Sequence, residues 1–166
     1  TEIGSSVFKG CSSLESIDVD SNNPNYSNDE YGVLFNKDMS VLIQYPIGNT
    51  RKSYTAPTIE NYQTVMMVVE MNAFMNAIYL EEVILPDNIK EIGENAFYGC
   101  SNLKCITFGR SLSTVMYYAF YNCNALEEVH FKGNAREWAS VEFVEDFDGT
   151  GNEPIFNAKM YFGENK

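Results

Sequence analysis

Apolar residues recur along this chain at an interval of 23 positions. One set is Ile92, Phe97, Cys100, Leu103, Ile106 and Phe108. At 23 residues further on stand Val115, Phe120, Cys123, Leu126, Val129 and Phe131, and 23 residues earlier stand Val69, Phe74, Leu80, Val83 and Leu85. A fourth set opens the chain with Ile3, Phe8, Cys11, Leu14, Ile17 and Val19. A period in the range of roughly 20–50 residues marks supersecondary units that stack on one another, because a single unit cannot bury its own apolar face. Within each unit the alternation at Leu103-x-x-Ile106-x-Phe108 is that of a short strand with one face inward. The pattern predicts parallel strands near 14–19, 80–85, 103–108 and 126–131, with weaker ones near 52–56 and 158–162. The recurring Ala-Phe pair (Ala73-Phe74, Ala96-Phe97, Ala119-Phe120) sits in a compact turn, and stacking of the units places Phe8, Phe74, Phe97 and Phe120 in one ladder. Cys11, Cys100 and Cys123 share a repeat position where Ala77 also stands, which suits a small buried packing residue better than a disulfide.

The period breaks between Val19 and Tyr54. Two apolar stretches, 31–35 and 41–45, flank Asn36-Lys37-Asp38, a turn signal. They predict a β-hairpin, within an inserted segment at 20–50, that projects from the stack. The repeat holding Ile59 to Val69 is six residues longer than the others, and Met66, Met67, Met71 and Met75 are expected to fill its irregular core. The chain opens inside a repeat with no polar cap, which implies missing upstream repeats or a partner for the first strand, self-association included. At the other end Trp138 is expected to cover the last repeat, within a closing segment at 134–166.

The stretches "IGENAFYGCSNLKCITF" and "VMYYAFYNCNALEEVHF" resemble the BspA-like, treponemal-type leucine-rich repeat. "NNPNYSNDEYGVLFNKDMSVLIQYPIG" resembles the insertion such proteins place between repeats, and the segment from "GNAREWASVEF" to "NEPIFNAKMYF" resembles their closing segment. The resemblance runs over nearly the whole chain. It implies a single α/β-type solenoid over 1–166: a right-handed leucine-rich repeat with a parallel concave sheet and short convex strands and turns. It also implies a secreted or cell-surface protein, typically bacterial, that binds proteins or adheres to a host or matrix without catalysis. A carbohydrate-binding adhesion module and a structural spacer in a longer repeat protein are the alternatives.

Composition narrows the partners. The hydrophobic fraction is 45% and the formal net charge is −12, from 23 acidic and 11 basic residues. Such a chain folds around a core but repels phosphate backbones and anionic membrane surfaces, which argues against nucleic acid as a partner. No apolar run approaches the ~20 residues needed to cross a bilayer. The first residues carry no signal-peptide pattern. With no C-x-x-C spacing and one histidine, a zinc site of the usual kinds is short of ligands, and no cofactor is expected.

The candidate binding residues are the outward strand positions of the concave face: Ser16, Asp18, Glu82, Ile84, Cys105, Thr107, Glu128 and His130. None is lysine or arginine, and Glu15, Glu81 and Glu127 precede them, so an acidic face for a basic protein partner is expected. Cys105 and His130 lie diagonally across neighbouring strands, but Glu82 and Glu128 flank the thiol and oppose the thiolate a nucleophile needs. Asp146, Asp148, Thr150 and nearby glycines match part of a calcium loop in spacing. Position 12 of that loop, however, is Asn157 rather than glutamate, and Phe156, Met160 and Phe162 suggest a strand there. A solvated acidic loop is the reading this favours. Asn25-Tyr26-Ser27 is a glycosylation sequon to which no function is assigned. Tyr26, Tyr31, Tyr98 and Tyr121 are the aromatics outside the core positions and so the candidates for sugar stacking. The hairpin, with Tyr31, Lys37 and Tyr45, is the rival binding surface.

Overall fold

The computed structural model describes residues 3–4, 7–58, 67–144, 149 and 151–163. In chain order its strands are β1 (Tyr26–Asn28), β2 (Leu34–Asn36), β3 (Val41–Gln44), β4 (Ser53–Thr55), β5 (Met67–Val69) and β6 (Glu82–Ile84). There follow β7 (Ile89–Ile92), β8 (Cys105–Phe108), β9 (Thr114–Val115), β10 (Glu128–Phe131), β11 (Glu142–Phe143) and β12 (Lys159–Phe162). Two short helices, α1 (Ala135–Trp138) and α2 (Glu153–Asn157), sit near the C-terminus. One sheet has five strands in the order β12-β10-β8-β6-β4, and the other has seven in the order β1-β2-β3-β5-β7-β9-β11. Every pairing in the five-stranded sheet is parallel. Each repeat thus lays one strand in each sheet and turns between them, as a stacked solenoid requires.

The 23-residue period is visible as register. Val83, Ile106 and Val129 are aligned across β6, β8 and β10, and Val69, Ile92 and Val115 across β5, β7 and β9. All six are fully buried. The turns repeat as well. Asn72, Asn95 and Tyr118 have positive φ (63°, 53° and 56°), and so do Asn76, Gly99 and Asn122 (63°, 72° and 61°). Asparagine and glycine enter this left-handed region at little cost, whereas a bulky residue there is an outlier, so Tyr118 is the one strained member of the set. The buried thiols of Cys100 and Cys123 each donate to a carbonyl one repeat back, on Phe74 and Phe97, at 3.1 Å. Both cysteines are free, as is the exposed Cys11, whose repeat position is therefore not buried in the first unit.

The ring ladder is real but its first member differs from expectation. Phe74 and Phe97 stack at 4.6 Å and Phe97 and Phe120 at 5.0 Å, with interplanar angles of 10°. Below Phe74 the next ring is Tyr45, stacked at 5.2 Å, while Phe8 is only half-buried. Tyr45 also reproduces the backbone register: its N–H donates to Ala73, as that of Phe74 does to Ala96 and that of Phe97 to Ala119. At the far end of the ladder the amide of Phe120 donates to the Asn152 side chain, which in turn donates to the Met116 carbonyl. That side chain replaces the carbonyl a further repeat would offer. Trp138 packs on Phe131 at 5.3 Å and Phe143 at 5.5 Å, held by a capping box between Asn134 and Glu137 at the start of α1.

The hairpin does not project. β2 and β3 are antiparallel, but β3 pairs in parallel with β5, so the insertion is built into the seven-stranded sheet. Val33, Leu34, Phe35, Leu42 and Tyr45, all at most 1% exposed, make it part of the core. The predicted strand at 14–19 is also absent. In that segment Leu14, Ile17 and Val19 are only half-buried. Its backbone bonds go to the insertion instead: Ile17 N–H to Gly32, and Gly48 N–H to the Leu14 carbonyl. Of the four methionines, Met67 is buried, Met71 and Met75 are half-exposed, and Met66 lies outside the described residues with the rest of 59–66. Phe156 is in α2 rather than a strand, whereas Met160 and Phe162 are in β12.

Tyr45 carries a testable anomaly. Among the described residues its buried hydroxyl has no hydrogen-bond partner. Such a group costs about 1–3 kcal/mol of desolvation. Tyr45→Phe is therefore expected to stabilise the chain by about 1 kcal/mol in urea denaturation at neutral pH. Burial pushes the phenol up to about 12. The unfolded chain ionises near ~10, so the wild type loses stability as pH rises above that value and the advantage of phenylalanine grows. A destabilised Tyr45→Phe would show that the hydroxyl is satisfied.

Candidate binding face

The five-stranded sheet presents its outward side chains in two rows fixed by register. The first is Ser53, Glu82, Cys105, Glu128 and Lys159; the second is Thr55, Ile84, Thr107, His130 and Tyr161. Six of the eight expected face residues, Glu82, Ile84, Cys105, Thr107, Glu128 and His130, are thus brought together, although Thr107 is itself buried. Ser16 and Asp18 are not. They belong to the 14–19 segment, outside the sheet, and Ser16 donates a hydrogen bond to Asp18 locally at 3.3 Å. Ser53 and Thr55 on β4 and Lys159 and Tyr161 on β12 take part instead. The weak apolar alternation of those two edge segments hid them.

The face is less uniformly acidic than expected. The residues just before the strands alternate in sign, as Lys52, Glu81, Lys104 and Glu127, and their backbones bond in that order. Glu81 accepts from Lys52 at 3.0 Å and from Lys104 at 2.7 Å. These bonds, Lys104's first, hold its carboxyl down at about 2. Glu128 is likewise held below the usual range, by hydrogen bonds from His130 and then Tyr161. The two lysines were legible at the repeat position where Glu81 and Glu127 stand. Glu82 and Glu128 remain as the acidic members of the outward rows.

Around Cys105 the chemistry opposes nucleophilic catalysis. Burial, then Glu82 and Glu128, push the thiol up to about 11. The His130 ring lies flat on Tyr161, with centroids 4.5 Å apart and planes 7° apart, and its Nε2 is 3.1 Å from Glu128. The calcium-loop residues Asp146, Asp148 and Thr150 lie outside the described residues.

The rival surfaces are largely engaged internally. Tyr45 is buried, Tyr31 lies under the Arg51 guanidinium at 4.4 Å, and Lys37 donates to the Ser21 carbonyl at 3.1 Å. Tyr98 and Tyr121 stack on each other at 5.3 Å, so each has one ring face covered. Tyr26 accepts a hydrogen bond from the Ile3 amide at 2.6 Å.

Two sheets to which each 23-residue unit adds one strand in parallel, around a ladder of stacked rings, define a leucine-rich repeat protein. The chain belongs to the BspA type leucine rich repeat family, whose repeat profile matches residues 1–32 and 61–145 in six copies. A leucine-rich repeat protein from Eubacterium ventriosum is similar over 79% of the chain, at 30% identity and a TM-score of 0.68. The pneumococcal vaccine antigen PcpA is similar over 92%, at 20% identity and a TM-score of 0.58. A leucine-rich repeat protein from Bacteroides capillosus is similar over 89%, at 22% identity and a TM-score of 0.54. The chain spans 33% of the first protein, 50% of the second and 99% of the third. No curated protein is significantly similar in sequence. No helix among the described residues is long and apolar enough to cross a membrane.

Proposed function

We propose that the chain is a non-catalytic protein-binding module of a secreted or cell-surface bacterial protein, and that it docks its partner on the five-stranded face. The observation that carries this reading is the pair of in-register rows, Ser53 to Lys159 and Thr55 to Tyr161. They form an extended surface fixed by a rigid parallel ladder. Solenoids use such surfaces to hold partners. The secreted or surface location rests on family membership. The net charge of −12 favours a basic partner by raising its encounter rate, while the mixed signs before the strands supply orientation more than attraction. The half-covered ring faces of Tyr98 and Tyr121 make sugar stacking the weaker alternative.

The test is surface plasmon resonance against a panel of purified basic and acidic host and matrix proteins. A basic binder is expected, and its association should slow as salt rises, since exposed charges are screened over ~8 Å at physiological ionic strength. Ile84→Arg places a bulky charge mid-row, and Glu82→Lys reverses an outward acid. Each should weaken binding by about tenfold or more, as at a buried contact or a steering charge. A binder that tolerates both, yet is lost when the 36–40 turn is replaced, would move the site to the insertion.

A further inference from the structure

The strands β8 and β10 place three different ligand types at one spot. Cys105 is in register with Glu128, and His130 stands two residues on, beside Thr107. The Cys105 sulfur, a Glu128 carboxylate oxygen and a His130 ring nitrogen all lie within 4.8 Å of one another. One edge of this triangle, His130 Nε2 to Glu128 Oε2, is 3.1 Å. A tetrahedral zinc with bonds of ~2.0–2.3 Å holds its ligands roughly 3.3–3.8 Å apart. The three atoms therefore lie within about 1 Å of that spacing.

Its members are also held. The Tyr161 ring lies flat against the imidazole, and the Tyr161 hydroxyl donates to Glu128 Oε1 at 3.2 Å, which leaves Oε2 as the oxygen on the histidine side. Partners of this kind, one shell out, fix the orientation of metal ligands. β8 lies in the interior of the sheet and β10 between β8 and β12, so the backbone beneath the cluster is braced on both sides.

We propose that Cys105, Glu128 and His130 form a binding site for one zinc-type divalent cation on the five-stranded face. A thiolate, an imidazole and a carboxylate suit a borderline-soft first-row ion and not calcium or magnesium, which take oxygen ligands. Three protein ligands leave a fourth position for water or an outside donor. Linear spacing hides the site because its ligands are contributed by two repeats.

The charged and titratable groups around the cluster fit a cation. Glu82 on β6 and Glu128 on β10 are acidic, and against them stands Lys159 on β12, whose ammonium lies over the Tyr161 ring at 4.7 Å. The same carboxylates that oppose a bare thiolate attract a dication, which inverts the local balance. On binding, the Cys105 S–H bond breaks, its proton passes to solvent, and the sulfur keeps the electron pair that it shares with the metal. Glu128 binds as a carboxylate. His130 gives up its hydrogen bond to Glu128 and binds through the Nε2 lone pair, its ring proton then standing on Nδ1. This site stands on the cluster alone and is independent of whether the face docks a protein.

The test uses the full chain with the exposed Cys11 changed to serine and all metal removed by chelation. Zinc is titrated by calorimetry in two buffers of different ionisation enthalpy, and cobalt by absorption spectroscopy. One saturable site is expected, with release of about one proton or slightly more near neutral pH. Cobalt should give a thiolate-to-metal charge-transfer band. Cys105→Ser should abolish the band and weaken zinc about 100-fold, with a similar loss for His130→Ala, while Tyr161→Phe should cost about tenfold. Circular dichroism of each variant before metal addition shows whether the fold is retained. Absence of saturable zinc binding, or equal affinity in a folded Cys105→Ser chain, would overturn the site.

Discussion

Phe97→Ala is expected to lower unfolding stability by about 3–5 kcal/mol, the range for truncating a large aromatic in a tight core. Phe97 is fully buried, with Phe74 stacked on one face and Phe120 on the other at 4.6 and 5.0 Å. Neither neighbour can slide into the space. Phe74 is tethered by its amide to the Ala96 carbonyl, and Phe120 by its amide to the Asn152 side chain. A cavity at this point loses its packing on both sides at once. The loss also falls between repeats, where a solenoid keeps its cooperativity. Guanidinium denaturation should therefore show a lower midpoint. If the halves uncouple, it should also show a smaller dependence on denaturant. Phe97→Leu, which keeps most of the volume, should cost about 1.5 kcal/mol or less. A loss under about 1 kcal/mol for the alanine variant would remove the ring from the core.

The ladder also shows where the sequence was readable. Leu80 to Leu85, Leu103 to Phe108 and Leu126 to Phe131 repeat one pattern, and each forms a strand in the expected sheet. Periodicity reports what a unit needs from its identical neighbours. It fails where the neighbour is not a repeat. The 14–19 segment carries the full set of anchors, yet its neighbour is the insertion, so it bonds Gly32 and Gly48 and forms no strand. Tyr45 reaches the ladder from outside the period, and no repeat alignment could place it there. Asn152 does the same at the other end, as a polar side chain standing in for a backbone carbonyl. On the outward face, Glu82, Cys105, Glu128 and His130 were legible because strand register follows from the period. The sign alternation of Lys52, Glu81, Lys104 and Glu127 was legible too, but only once the residue before each strand is counted with the face. The contribution of Tyr161 required knowing that β12 adds to the sheet in parallel, which a closing segment without the repeat pattern does not announce.

Asp29→Ala is expected to cost about 2–4 kcal/mol, although the residue is only half-buried and belongs to the insertion. One carboxylate oxygen, Oδ1, accepts from the backbone amides of Tyr31 and Val33 at 2.9 Å each. The other, Oδ2, accepts from the Tyr54 hydroxyl at 2.8 Å. Tyr54 lies on β4, the edge of the five-stranded sheet, and is 2% exposed. Burial first, and then the Asp29 charge, raise its pKa well above the ordinary tyrosine value, so the phenol stays a donor. Asp29 thus ties the insertion to the edge of the five-stranded sheet through a buried hydroxyl. Its removal orphans that hydroxyl and loosens the turn before β2. A hydrogen bond to a charged acceptor contributes about 1.5–3 kcal/mol, and a buried group left unpaired costs in the same range. The cost should be shared in a recognisable way. Tyr54→Phe removes the hydroxyl that Asp29→Ala would strand, so the double variant should be less destabilised than the sum of the two single variants. The expected coupling is about 1–2 kcal/mol, within the span measured for residues in one network. Urea denaturation of the four chains gives the cycle. Additivity within about 0.5 kcal/mol would mean that Asp29 stabilises its own turn alone and that the insertion and the sheet edge are not joined through this bond.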